Sequence, residues 1–341
     1  MKHIRTAVLA AIAAGSLALT ACGGGTPAGG AQSEGSGEAK PVTLMLNWYP
    51  YGEHAAFYYG VQEGIFKKHG IDLTIKAGQG STKTVQATGQ GQMDFGWADT
   101  PALLANVDKG VKVKSLGVYL QTTPSAVQIF KDSGIETVAD LKGKTIATSA
   151  GDAPTVTFPL FLKAAGLAET DVKQQDLDAA GKVAAALSNK VDGLIGFAHD
   201  QGPTIAAKSG KAMTYLRYAD QGINFYSNGL ISSDAYLAKN PELAKEMMAA
   251  VSESFTAAIA KPEAAAKSME GKDPQVPDHA VVLEQWTQTI KLLSTPATAG
   301  KKPGTNDPAD WAATIKTLAG AGLIGEGSDA SKYFDSQYQP K

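Results

Sequence analysis

Residues 42–77 read VTLMLNWYPYGEHAAFYYGVQEGIFKKHGIDLTIKA, and this stretch decides the fold. Its first part, Val42 to Trp48, is an apolar run typical of a buried strand, and residues 71–77 alternate like a second strand. Between them, residues 54–69 place apolar side chains at helical spacing, and Gly70 is suited to end a helix. Strand, helix and strand in this order predict the beginning of a mostly parallel sheet.

The same alternation continues along the chain. We expect a helix over 82–90, a strand over 93–97, a helix after Asp99-Thr100-Pro101 and a strand over 111–119. A second α/β unit begins near Ser125, with strands at 125–130, 145–148, 193–197, 213–217 and 229–231. Its predicted helices are 154–165, 182–188 and one after Pro203. Beyond Ser233 the pattern is almost entirely helical, through 240–260, 279–293 and 310–321.

A helical segment without a sheet of its own should pack back on the first unit. The sequence therefore predicts an α/β protein of two lobes, each a mostly parallel sheet flanked by helices, with a helical C-terminal segment. Lobe 1 would comprise 42–124 plus 230–341, and lobe 2 would comprise 125–229. The chain would cross between the lobes twice, near Thr122–Ser125 and Tyr226–Gly229.

Charge and cysteine content exclude several classes of protein. The 341 residues carry 31 Lys and Arg against 33 Asp and Glu, a balance that argues against a nucleic-acid binder. A single cysteine excludes a disulfide scaffold, an iron–sulfur protein and a Cys-rich zinc site. Residues 78–82 and 143–145 contain fragments like those of phosphate-binding loops, but their spacing is wrong for a nucleotide site. We predict no metal and no cofactor.

The N-terminal segment indicates where the protein resides. Lys2 and Arg5 precede an apolar run over 6–19 that is too short for a stable membrane anchor. The run ends in Leu19-Thr20-Ala21-Cys22, which resembles the lipobox of bacterial lipoproteins. This resemblance implies a signal peptide over 1–21, lipidation at Cys22 and attachment outside the cytoplasm to the cell membrane through that lipid alone. An ordinary cleaved signal with a chance cysteine is the alternative. Residues 22–40 are Gly-rich and polar, as in a flexible tether.

Five stretches resemble one branch of the solute-binding proteins of ABC transporters, the branch that binds sulfonates, nitrate, taurine and thiamine-pyrimidine precursors. These stretches are LNWYPYGEHAAFYYGVQEGIFKKHGIDLTI (46–75), QATGQGQMDFGWAD (86–99), DLKGKTIATSAGDAP (140–154), NKVDGLIGF (189–197) and DPADWAATIKTLAGAGLI (307–324). The resemblance implies the type II periplasmic-binding-protein fold. Asn47 stands where this branch often has Asp, 52–54 is Gly-Glu-His in place of Thr-Asn-His, and 197–201 lacks the acidic Asn-x-Glu pattern. These departures leave the ligand open.

Ligands of open α/β sheets bind outside the carboxyl ends of the strands. Five loops qualify, 47–54, 78–82, 97–101, 149–154 and 197–203, and the second crossing at 222–229 should also line the cleft. Together they hold aromatic and acidic residues but no Lys or Arg. The candidate ligand-binding residues are Trp48, Tyr49, His54, Tyr58, Trp97, Asp99, Ser149, Asp152, His199, Asp200 and Tyr226.

Aromatic faces stack on flat rings, and carboxylates accept from N–H donors. The cleft therefore favours a neutral or weakly cationic heterocycle, such as an aminopyrimidine or a flavin-like ring. Helix N-termini after Gly80, Asp99 and Gly151 could bind an anion through backbone N–H groups, so a sulfonate, taurine or an aromatic carboxylate stays open. Each candidate also has a structural alternative: Trp97 and Tyr58 in the core, Asp99 as an N-cap, His54 and His199 as bonded loop residues.

The predicted function is that of a monomeric receptor that captures a small molecule and presents it to an ABC permease and its ATPase. A sensor that reports the same ligand to a membrane protein is one alternative. An enzyme is another, because fungal pyrimidine synthases share the implied fold. Their reaction depends on a Cys-rich motif, whereas the one cysteine here is at the lipid position.

Overall fold

Ten strands form two five-stranded sheets within residues 38–150 and 152–340, the part of the chain that the computed structural model describes. In chain order the strands are β1 Lys40–Met45, β2 Ile71–Lys76, β3 Phe95–Asp99, β4 Val113–Val118, β5 Ser125–Phe130, β6 Thr145–Thr148, β7 Lys173–Asp176, β8 Gly193–Phe197, β9 Met213–Arg217 and β10 Asn228–Ser233. The first sheet has the order β2-β1-β3-β10-β4, and the second has the order β7-β6-β8-β5-β9.

Each sheet is mostly parallel, with one reversed strand. In the first sheet β10 is antiparallel to β3 and β4, and in the second sheet β5 is antiparallel to β8 and β9. The strands β1, β2 and β3 are parallel, as are β6, β7 and β8. The predicted fold class is therefore confirmed, and both sheets belong to one compact unit of the chain.

Helices flank both sheets. In chain order they are α1 Ala55–Gln62, α2 Ile65–Lys68, α3 Ser81–Gly89, α4 Thr100–Asp108, α5 Ala153–Ala164, α6 Ala179–Leu187, α7 Gln201–Ser209, α8 Asp234–Lys239, α9 Pro241–Ala260, α10 Pro262–Lys267, α11 His279–Ile290 and α12 Pro308–Gly320. Helices α4, α5, α9, α10 and α12 carry proline in their first turn, where the missing N–H is unused.

Three sequence predictions need correction. The strand expected over 229–231 in the second unit is part of β10, which lies in the first sheet between β3 and β4 because the chain has returned to that sheet before this strand. The single helix expected over 54–69 is a 3₁₀ turn, Gly52–His54, followed by α1 and α2, because Gly64 between these helices has a φ of +70° and interrupts the regular backbone. Strand β7 was not predicted. All four of its residues are exposed, so its sequence KQQD has no apolar alternation, and only pairing with β6 defines it.

The hydrophobic core beside β1 includes helices from the C-terminal segment. Phe57 of α1, Phe255 of α9 and Trp286 of α11 pack in one buried cluster with Trp97 of β3. On the other face of the first sheet, Trp311 of α12 is buried. The C-terminal helices therefore pack on the first sheet, as their lack of a sheet partner predicted.

The predicted signal peptide, Cys22 and residues 23–37 of the predicted tether lie outside the described residues, as does Gly151. Across 38–150 and 152–340, we find no helix with both the length and the apolar character needed to cross a membrane.

Candidate functional site

A cavity of about 40 Å³ lies where the carboxyl ends of parallel strands from the two sheets meet. Its walls come from residues that end or follow β1, β2, β3, β6 and β8, as expected for a ligand site in open α/β sheets. The lining residues are Asn47, Trp48, Tyr51, Gly80, Ser81, Asp99, Asp152, Ala153, Pro154, Gly196, Phe197, Asp200 and Gln201. The five predicted loops supply all of them except Gly196.

Asp99 presents an unpaired carboxyl group to this cavity. It ends β3 and occupies the N-cap position of α4, but its side chain makes no capping hydrogen bond. Asp99 is 1% exposed, and neither carboxyl oxygen has a hydrogen-bond partner among the described residues. Burial raises the pKa of Asp99 from 3.8 to about 8; the nearby Ser227 hydroxyl and Thr100 N–H limit this rise, and the charge of Glu53 adds to it. In its neutral form this carboxyl group can accept an N–H group of a bound molecule on its carbonyl oxygen and donate its O–H, and once ionised it accepts on both oxygens.

Asp152 is paired, unlike Asp99. Its Oδ1 accepts from the backbone N–H of Thr155 at 2.8 Å, and its Oδ2 accepts from the Lys182 ammonium at 2.8 Å. Lys182 is fully buried and also donates to the carbonyl of Ile195 at 2.9 Å. None of the described cavity-lining residues is basic, as the loop sequences predict. Lys182 of α6, which does not line the cavity, nevertheless neutralises the negative charge of Asp152.

Glu53 is a fully buried carboxylate with four hydrogen-bond donors. Its Oε1 accepts from Trp97 Nε1 at 2.5 Å and from Asn228 Nδ2 at 2.6 Å. Its Oε2 accepts from Tyr51 OH at 2.6 Å and from His199 Nε2 at 2.7 Å. Burial alone would raise the pKa of Glu53, but the hydrogen bond and charge interaction with His199, supported by the other groups, lower it from 4.5 to about 2. Glu53 is therefore ionised and joins the two sheets.

His54 and His199 hold the loops around the cavity and do not line it. His54 Nε2 donates to Asn47 Oδ1 at 2.8 Å, and Nδ1 accepts from the backbone N–H of Tyr51 at 3.3 Å. Burial lowers the pKa of His54 to about 4, so it is neutral near pH 7. Asp200, next to His199, does line the cavity, and burial together with the charge of Glu53 raises its pKa to about 7.

Trp48 is the aromatic residue that contacts every open part of the site. It lines the cavity and also two adjoining grooves of about 740 and 810 Å³. Tyr49 lines both grooves but not the cavity, with its ring centre 5.9 Å from that of Trp48. Ser149 lines the larger groove, and its hydroxyl donates to the Leu177 carbonyl at 2.7 Å.

Besides His54 and His199, three further candidate residues lie away from the cavity and the two grooves. Trp97 is fully buried and packs edge-to-face on Phe57, with ring centres 4.9 Å apart. Tyr226 is 1% exposed and packs at right angles on Trp311. Tyr58 packs against the core of the first sheet. The second crossing, 222–229, contributes no described lining residue, so our expectation for it is not supported.

Several site residues were missing from the candidate set although their loops were identified. Asn47, Tyr51, Ser81, Phe197 and Gln201 all line the cavity. Their position directly after predicted strands was the available signal. Lys182 and Glu53 act through buried pairing, for which helix and loop patterns give no signal.

Two five-stranded sheets whose strand ends meet at a cavity are the arrangement of the periplasmic-binding-protein fold. The aliphatic sulphonate binding protein SsuA from Escherichia coli shares this fold with a TM-score of 0.67. The likeness covers 88% of this chain and 92% of that chain at 18% identity, so it concerns the fold alone. Residues 52–265 match the family described as NMT1/THI5 like, and the chain belongs to this family.

Two relatives carry names that state what they bind. The riboflavin-binding protein RibY of Chloroflexus aurantiacus is 25% identical over 336 residues, which is 95% of each chain. The formylaminopyrimidine-binding protein of Halalkalibacterium halodurans is 24% identical over 205 residues, covering 59% of this chain and 61% of that protein.

Proposed function

We propose that this protein is a lipid-anchored, extracytoplasmic solute-binding receptor of an ABC importer. It binds a small planar heterocycle between two lobes, residues 42–124 plus 230–341 and residues 125–229, and acts as a monomer. Membership of the NMT1/THI5-like family and the names of the two relatives support solute binding. The observation that carries the choice of ligand is Asp99, whose two buried oxygens lack donors.

The lining of the cavity favours a ring with N–H donors. Trp48 and Phe197 offer aromatic faces, Asp99 offers acceptors, and no basic side chain lines the described cavity. Riboflavin and aminopyrimidines both combine a flat ring with ring or exocyclic N–H groups. We therefore place the ring against Trp48 and its N–H edge toward Asp99.

Three ionisable side chains at this site are held by the protein itself and are not available for acid–base chemistry. The carboxylates of Glu53 and Asp152 are occupied by protein donors. His54 uses both ring nitrogens to hold the first loop. None of these groups is free to act as a general base or a nucleophile on a bound molecule.

An organic anion is the second candidate, and one observation favours it. Helices α3, α4 and α5 all begin at the cavity, so their first N–H groups are near a bound molecule. Asp99 and Asp152 stand at two of these helix starts and oppose a negative charge. Asp99 could donate a hydrogen bond to a sulfonate only while it is protonated, so the affinity for a sulfonate would fall as the pH rises past about 8.

Trp48→Ala is expected to weaken the binding of riboflavin or 4-amino-5-hydroxymethyl-2-methylpyrimidine by roughly 5- to 150-fold. Stacking on an aromatic side chain contributes about 1–3 kcal/mol per ring in nucleic-acid complexes, and the same magnitude is taken here. Trp48→Phe should recover much of the affinity because an aromatic face remains. Isothermal titration calorimetry of the unsubstituted protein, Trp48→Ala and Trp48→Phe measures the dissociation constants.

Tyr49→Ala is the matched control for this experiment, because Tyr49 lines the grooves but not the cavity. It should weaken binding less than Trp48→Ala does. Taurine serves as the anionic probe. Tight binding of taurine that is insensitive to Trp48→Ala would contradict the heterocycle proposal and favour the anion.

Cys22→Ser is expected to move the protein from the membrane fraction to the soluble fraction of producing cells. The reason is that serine lacks the thiol that receives the lipid, and no other cysteine is present in the sequence. Immunoblotting of fractionated cells measures the distribution. Ser33→Ala, within the predicted tether, should leave the protein at the membrane. Retention of Cys22→Ser in that fraction would refute the lipid anchor.

A further inference from the structure

A small set of buried hydrogen bonds joins the first-sheet side of the molecule to the second-sheet side. Glu53, after β1, accepts from His199, after β8, at 2.7 Å. Gln285 of α11 donates through Nε2 to the Asp200 carbonyl at 2.9 Å and lies 3.2 Å from Thr204 Oγ1. We call these five residues, Glu53, His199, Asp200, Thr204 and Gln285, the inter-sheet latch.

The first-sheet members of the inter-sheet latch are fixed by their own side through separate contacts. Gln285 accepts from the backbone N–H of Gly52 at 2.8 Å through Oε1, while Nε2 reaches across. Glu53 keeps the three donors Tyr51, Trp97 and Asn228 without His199. Separation of the two sides would break the crossing hydrogen bonds, including one of 3.3 Å from Gln285 Nε2 to Asp200 Oδ1, and the contact between the Tyr51 and His199 rings, but it would leave these same-side hydrogen bonds in place. Such an interface can exist in two discrete arrangements at low cost.

The inter-sheet latch is continuous with the candidate site. Asp200 belongs to the latch and also lines the cavity. Tyr51 and Gln201 are not latch residues, but they line the cavity and lie close to latch residues in the chain. The cavity of about 40 Å³ is far below the roughly 300 Å³ at the lower end of ligand pockets. Separation of the two sides would widen this cavity for a ring and break the latch, and closure over the ring would form the latch again.

We propose that the inter-sheet latch sets the open–closed equilibrium of the cleft, with Gln285 as a positioning residue that does not touch the solute. This inference rests on the proposed function, because closure is what retains the solute. A residue that stabilises only the closed state raises the affinity for every ligand that the closed state encloses, by the same factor. Residues that contact the ligand, such as Trp48, would instead distinguish one ligand from another.

The test replaces Gln285 by Glu, which keeps an acceptor for the Gly52 N–H but turns an oxygen toward the Asp200 carbonyl. Small-angle X-ray scattering of the ligand-free protein should give a larger radius of gyration for Gln285→Glu than for the unsubstituted protein. Calorimetry should show a similar loss, roughly 2- to 10-fold, for riboflavin and for 4-amino-5-hydroxymethyl-2-methylpyrimidine. Gln288→Glu is the matched control, because Gln288 bonds only to Glu284 and Lys291 of the same helical region.

A second variant, His199→Phe, removes the other crossing hydrogen bond and should also enlarge the ligand-free protein. Circular dichroism establishes that each variant is folded before it is compared. An unchanged radius of gyration in both folded variants would overturn the proposal. If the unsubstituted protein binds neither probe, the proposed function is contradicted for this ligand class, while the ligand-free scattering still decides whether the latch acts.

Discussion

Asp152→Asn is expected to lower the free energy of unfolding by about 3–5 kcal/mol, because it removes the charge partner of a buried lysine. Lys182 is fully buried, and the Ile195 carbonyl is its other acceptor. An asparagine at this position cannot neutralise the ammonium group. Urea denaturation at pH 7 measures the loss.

Asp99→Asn, at a second cavity-lining aspartate that precedes a helix, is expected to have the opposite effect. Burial keeps Asp99 protonated up to about pH 8, whereas in the unfolded chain it ionises near 3.8. Folding then takes up a proton between these values, so the stability that this residue contributes is present below pH 4 and is lost as the pH rises to about 8. Asparagine does not ionise, so Asp99→Asn does not lose stability over this pH range.

The free energy of unfolding of Asp99→Asn should therefore equal that of the unsubstituted protein near pH 4 and exceed it by about 1–3 kcal/mol at pH 8 to 9. This range is typical of one unsatisfied buried group. Urea denaturation at several pH values measures it. The double variant Asp152→Asn with Lys182→Met is the control for the first result, because removing both charges should restore most of the lost stability. Equal, pH-independent effects of the two aspartate substitutions would contradict the distinction between a paired and an unpaired acid.

Glu53→Ala is the second substitution with a large expected effect. It leaves four buried donors without their acceptor, among them Trp97 Nε1, which can only donate. Each unsatisfied buried donor costs about 1–3 kcal/mol, so a loss of at least 3 kcal/mol in the free energy of unfolding is expected. Thermal and urea denaturation measure it.

Glu53→Gln should be milder than Glu53→Ala, because its remaining oxygen can still accept from Trp97. The Tyr51 hydroxyl can turn to accept from the new amide group. The pKa of Glu53 is lowered in the folded protein, so its contribution to stability is present above about pH 4.5 and is lost as the pH falls toward 2. The free energy of unfolding of Glu53→Ala should therefore fall less between pH 4.5 and pH 2 than that of the unsubstituted protein. Full stability of Glu53→Ala at pH 7 would contradict this account of the site.

The periodicity of the sequence predicts the fold class, and the strand ends that it predicts indicate which loops form the candidate site. The sequence predicts strands 193–197 and 213–217 with the bounds that the structure has, and the apolar run GLIGF of the first is almost fully buried. The rule for strand ends then selected the loops that hold Trp48, Asp99 and Asp152. Strand β7 is not predicted, because its exposed polar residues show no apolar alternation.

The tertiary structure alone decided which side chains of those loops are free. The sequence predicts that Trp48 and Trp97 each end a strand, yet Trp48 lines the cavity, whereas Trp97 lies within β3 and packs on Phe57 and Phe255. Asp99 and Asp152 both precede a helix, yet only Asp152 meets a lysine, which comes from 30 residues further along the chain. Pairing and burial depend on contacts between segments distant in sequence, whereas periodicity reports only which face of one segment is apolar.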